Sequence, residues 1–158
     1  MIEILSRNEV TYPTLEGLFA NAGIESKIDS DGDGIYLKGL EAPCWIFIDQ
    51  EEGYVLFQTS VLCKENVPPE EIIVLPEVLN ESNVLVTFTY SIYEDGRLYL
   101  NGHHCLYFAF DLNIKNFLFT ARTFASMFAN GLRHVDSDEG YFESDEMDYS
   151  DFDVQPIH

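Results

Sequence analysis

The chain has 158 residues, 46% hydrophobic and 14% aromatic, enough for one domain whose core needs no metal or disulfide staple. Eight Lys and Arg face 28 Asp and Glu, a formal net charge of −20. Nucleic acid and anionic membrane surfaces are thereby disfavoured as partners, because both require clustered basic residues; the field favours basic proteins, exposed basic segments or cations.

Pro13 suits a first helical position, and Leu15, Leu18, Phe19 and Ala22 share one face, so the spacing predicts a helix over 13–22 that Gly23 ends. Residues 24–28 and 35–38 read as short strands around a turn at 29–34. Strands follow at 44–48 and 54–61, where Val55, Phe57 and Thr59 alternate with Leu56, Gln58 and Ser60. Pro68-Pro69-Glu70-Glu71 opens a helix, since acids in a first turn meet the positive end of its dipole. Ile72, Leu75 and Leu79 give that helix, 69–82, an apolar face, and Pro76 should kink or split it.

Residues 84–93 read as a long strand, and Asp95-Gly96 turns it back into 97–110. Leu98, Leu100, His104, Leu106, Phe108 and Phe110 keep one period-2 phase there. Asn101-Gly102 could be a second turn, but the surviving phase favours one strand with a bulge or bend at Gly102. The strongest helix runs from 114 to 135, with Ile114, Phe117, Leu118, Ala121, Phe124, Ala125, Phe128 and Leu132 on one stripe and Asn113 as N-cap. Residues 1–135 are therefore expected to form one domain. Residues 136–158 hold nine acids and no Lys or Arg and read as an acidic aromatic tail outside the core.

Asp29-Ser30-Asp31-Gly32-Asp33-Gly34 imitates the front of a calcium loop. An EF-hand needs a Glu at its twelfth position and flanking helices; here that position is Leu40 and the flanks are strands, so a solvated hairpin turn is expected. His103-His104-Cys105 invites a metal, but neighbours on a strand point to opposite faces, leaving only His103 and Cys105 to share an ion. One half-buried and one exposed histidine are expected. Hydrolase, phosphate-loop and dinucleotide motifs are absent, and no cofactor is implied. Cys44, Cys63 and Cys105 are odd in number, widely spaced and without a CxxC, and read as core residues. Met1 to Leu5 lack a basic signal region, and no run approaches the ~20 apolar residues of a membrane span, so a reducing cytoplasm is the expected compartment.

Ala22-Gly23-Ile24, the Asp31-Gly32-Asp33 hairpin, Pro69-Glu70-Glu71, the segment 80–83, Asp95-Gly96-Arg97-Leu98 and the 114–135 helix occur in an order that resembles the bacterial YbjN domain family over about 12–135. That family is similar in fold to type III secretion chaperones, small acidic and often dimeric α+β proteins that hold segments of other proteins. Its members are described as regulators of sensory transduction, a label without a mechanism. Pro76 and the acidic tail depart from the pattern.

The expected architecture is α+β, in the order α-β-β-β-β-α-β-β-α, with a twisted antiparallel sheet covered on one side by the helices of 13–22, 69–82 and 114–135. The expected function is non-catalytic: a protein-binding or chaperone-like regulator of the bacterial cytoplasm, homodimeric, with a basic partner. The alternatives are an enzyme or metal-dependent protein using His103 and His104, and an acidic immunity or mimic protein that blocks a basic effector. Phe119 and Met127, with Thr120, Thr123 and Asn130, lie on the polar face of the last helix and are candidates for a dimer or partner contact. Tyr141, Phe142, Tyr149 and Phe152 are candidates for a binding motif in the tail, seated in a partner or in a groove of this domain.

Overall fold

In the computed structural model, residues 3–136 and 140–143 are described. Six antiparallel strands form one sheet: β2 (Glu25–Ile28), β3 (Ile35–Lys38), β4 (Cys44–Asp49), β5 (Tyr54–Leu62), β6 (Thr87–Ile92) and β7 (Leu98–Tyr107), in spatial order β2-β3-β4-β5-β7-β6. Two further strands, β1 (Ile4–Ser6) and β8 (Asp111–Asn113), pair separately; the sequence shows neither, each being only three residues long. The helices are α1 (Tyr12–Asn21), α2 (Pro69–Ile72), α3 (Leu75–Ser82) and α4 (Ile114–Val135).

Local chemistry explains most boundaries. The Thr11 side chain accepts the Thr14 N–H at the start of α1, and Gly23 at φ 72° lets the chain turn out of it into β2. The Asn113 side chain likewise caps α4 through the Asn116 N–H at 2.9 Å. The second predicted helix is split, as Pro76 demands. α2 ends at Ile72, and α3 restarts so that Pro76 falls in its first turn, where a missing N–H costs nothing.

One face of the sheet packs on the helices. Phe57 of β5 lies 5.8 Å from the Phe117 ring and 6.0 Å from Phe124, both on α4. Phe19 of α1 meets Phe117 at 5.1 Å, and Phe88 of β6 stacks on Phe128 at 5.5 Å. The opposite face carries a smaller cluster, Trp45, Phe47 and Leu56 with Tyr36, Tyr54 and Cys105 beside it. On the same face Ser60 Oγ donates to Asn101 Oδ1 at 2.7 Å, and Asn101 Nδ2 donates to Ser91 Oγ at 3.0 Å, linking three strands.

β7 is one strand, but it holds no bulge. Thr59 faces Gly102 and Ser60 faces Asn101 in unbroken register. Gly102 is there for space: a β-carbon on it would stand 2.5 Å from Phe128 Cδ2.

The core also continues past Val135. Phe142 is only 8% exposed and belongs to the main core cluster. The Lys64 N–H donates to Tyr141 O at 2.8 Å and the Glu143 N–H donates to Leu62 O at 2.9 Å, bridging Phe142 to Cys63 at the end of β5. Residues 140–143 thus dock on this domain and are not outside its core.

Candidate partner-binding surface

The residues expected on the outer face of α4 are placed unequally. Phe119 is 67% exposed, Thr123 is half-buried, and Met127 is half-buried with its side chain packed against the core. Thr120, grouped with them by the sequence, is buried. The helix around them is basic: Ile114–Val135 contains Lys115, Arg122 and Arg133 and no acid. Arg122 donates to Ala22 O at 2.8 Å, tying α4 to the end of α1.

Of the tail residues, Tyr141 and Phe142 sit on the domain as above, whereas Tyr149 and Phe152 lie outside the described residues. Phe142 walls a cleft of about 300 Å3 against Val61, Phe128, Leu132, Glu41 and Arg133. Arg133 pairs with Glu41 at 3.0 Å across its rim, and with Ser126 it holds the Glu41 carboxyl below the ordinary range.

His103 and His104 do fall on opposite faces. His104 stands 6.3 Å from the Phe57 ring on the helix side, while His103 and Cys105 look the other way. Both histidines are half-buried, not one half-buried and one exposed, because neighbouring strands flank β7 on either side. Burial lowers the affinity of each for a proton, with the neighbouring His104 adding to the effect at His103. Cys44 is on the helix face of β4, opposite to Cys105. Burial raises all three thiols, Cys63 to about 11, so none is poised as a thiolate nucleophile. Among the described residues no group of three or more His, Cys, Asp or Glu is placed to hold a metal. At the Asp29–Gly34 turn, Asp29 Oδ1 accepts the Gly32 and Asp33 N–H groups at 2.7 and 3.0 Å, so that oxygen serves the hairpin.

A surface that periodicity does not reveal lies at the β6 edge of the sheet. Thr87, Thr89 and Ser91 face their β7 partners, and in the turn beyond them the Tyr93 N–H donates to Arg97 O at 3.0 Å. Alternation then points the backbone groups of Phe88, Tyr90 and Ile92 outward. The Asn80 side chain of α3 closes the first of these, accepting the Phe88 N–H at 2.7 Å and donating to Phe88 O at 3.0 Å. Among the described residues nothing closes the other two. Tyr90 and Ile92 are 44% and 64% exposed, and α3, whose Asn80 caps this edge, adds exposed Val78. Residues 65–96 contain seven acids and no Lys or Arg, a signal the sequence does carry.

No family model matches the sequence, and no curated protein matches it. Among solved structures, that of YbjN from E. coli, a candidate transcription regulator, aligns with a TM-score of 0.70 at 12% identity, covering 84% of this chain and 95% of that one. No helix among the described residues is long and apolar enough to cross a membrane. At that identity the likeness concerns the backbone alone: the chain has a YbjN-like α+β fold.

Proposed function

We propose that this chain is a non-catalytic regulator of the bacterial cytoplasm that acts by holding a segment of another, basic protein. The observation that carries this reading is the β6 rim, where large apolar side chains stand exposed within a stretch that has acids and no base. Exposed apolar groups rimmed by charge mark protein contacts more often than catalytic sites, and the surrounding negative field selects a positive partner. The fold it shares with a candidate transcription regulator supports a regulatory role. In the same reading the chain forms a homodimer through the outer face of α4, where the large apolar side chain of Phe119 is exposed.

The test is capture from bacterial extract by the full chain at low and at high salt. A basic protein retained in stoichiometric amount and released by salt is the expected result. Failure to retain any protein at low salt overturns the reading.

A further inference from the structure

We propose that the β6 edge takes up an extended segment of the partner as a seventh strand, one whose apolar side chains alternate with Lys or Arg. This deepens the partner-binding reading and rests on it.

Three features of the edge converge. First, it offers hydrogen bonds. The outward N–H and C=O groups of Tyr90 and Ile92 meet no described group, whereas Phe88 beside them is sealed by Asn80 at both positions. The Asn80 amide does at Phe88 what a neighbouring strand would do, and shows the geometry the next positions hold open. Second, the edge lacks the usual protection. Exposed edges are normally blunted by Lys, Pro or a bulge, and Thr87-Phe88-Thr89-Tyr90-Ser91-Ile92 has no Lys or Pro and keeps regular pairing with β7. Third, the side chains beside those groups are apolar and exposed: Tyr90 and Ile92 on the strand.

Charge selects the occupant. A second copy pairing through β6 would bring two stretches of seven acids and no base together; like charges meeting across an interface oppose it. The acidic residues of 136–158 are disfavoured by the same argument. A segment with Lys or Arg on one side and apolar residues on the other satisfies both the field and the apolar rim, and main-chain bonds supply affinity that does not depend on its full sequence.

The probe is a synthetic peptide of about ten residues alternating Val and Lys, with a twin N-methylated on alternate amides to remove the bonding edge. Binding to the full chain is followed by fluorescence anisotropy, and the site by amide shifts. The parent peptide should bind, shift the amides of Tyr90 to Ile92, and lose at least about tenfold in affinity when N-methylated. Ile92→Lys and Tyr90→Lys should cost a similar factor without moving the melting temperature. No binding of the parent peptide, equal binding of its twin, shifts centred on Phe119 or on the Phe142 cleft, or self-association through β6 would each overturn the proposal. Ile92→Pro removes one outward donor; if it does not fold, the methylated twin on the unaltered chain still decides. A partner captured from extract equally well by the Ile92→Lys chain sinks the edge proposal and leaves the binding reading intact. Capture of nothing by either chain sinks the binding reading.

Discussion

Gly102 lies directly beneath Phe128. A β-carbon built on the glycine would stand 2.5 Å from Cδ2 and 2.9 Å from Cε2 of that ring, and 2.9 Å from Val86 Cγ1. The ring is also held by its stacking on Phe88, at 5.5 Å and an interplanar angle of 13°. Gly102→Ala should therefore destabilise the fold by about 1–3 kcal/mol through overpacking. A urea midpoint equal to that of the unaltered chain would refute this. Phe128→Leu should relieve part of the cost in the double variant, because residues in contact are coupled.

Phe142 supplies the second prediction. It is a core residue attached through a short pairing to the end of β5. Phe142→Ala should cost about 3 kcal/mol, the lower end for buried Phe truncations, because a site near the edge of the core can partly close. Removal of all residues after Val135 should cost at least as much. A truncated chain that melts within a degree or two of the full one would show that this pairing is marginal.

The third prediction is a pH dependence. His103 and His104 hold their protons less readily when folded than the ordinary value of 6.5, because half-burial disfavours the imidazolium. The unfolded chain then binds more protons, so stability is present in full above about pH 6.5 and is lost as pH falls below it. His103→Gln with His104→Gln should flatten the slope of unfolding free energy between pH 7 and 5 relative to the parent. Identical slopes would mean that the histidines contribute nothing to it.

Self-association is the fourth. If the outer face of α4 joins two copies, light scattering should give a dimer mass that Phe119→Asp reduces to the monomer, with the melting temperature at infinite dilution unchanged. A monomer at high concentration for both chains counts against the contact.

Most of the fold is legible because its periodicities are long. The α4 stripe and the strands 54–61 and 97–110 run through several repeats, so propensity and pattern agree. β1 and β8 are not legible, since three residues carry no period and their pairing is set by the rest of the fold. The seating of Phe142 is hidden for a related reason: an aromatic among acids reads as solvated, and only a strand end at Cys63 gives it a place. On α4 the period separates Phe119 from the core face but groups Thr120 with the polar side, although it is buried. The β6 edge is invisible because the spatial order of strands, which decides which one is left outermost, is not written in any local pattern.

The pairing of β1 with β8 orders the assembly of the chain in time. Leu5 finds Leu112, and the Ile114 N–H donates to Glu3 O at 2.9 Å, contacts between segments about a hundred residues apart. A chain leaving the ribosome N-terminus first must hold residues 4–6 unpaired until β8 has been synthesised, while the β2–β3 and β4–β5 hairpins can already close. β5 must likewise wait for β7 across the whole of α2, α3 and β6. Pairings this distant in sequence slow the search for the native state toward the millisecond-to-second range of sheet-rich domains. Residues 4–6 are thus among the later parts of the fold to settle, closing against the N-terminal end of α4.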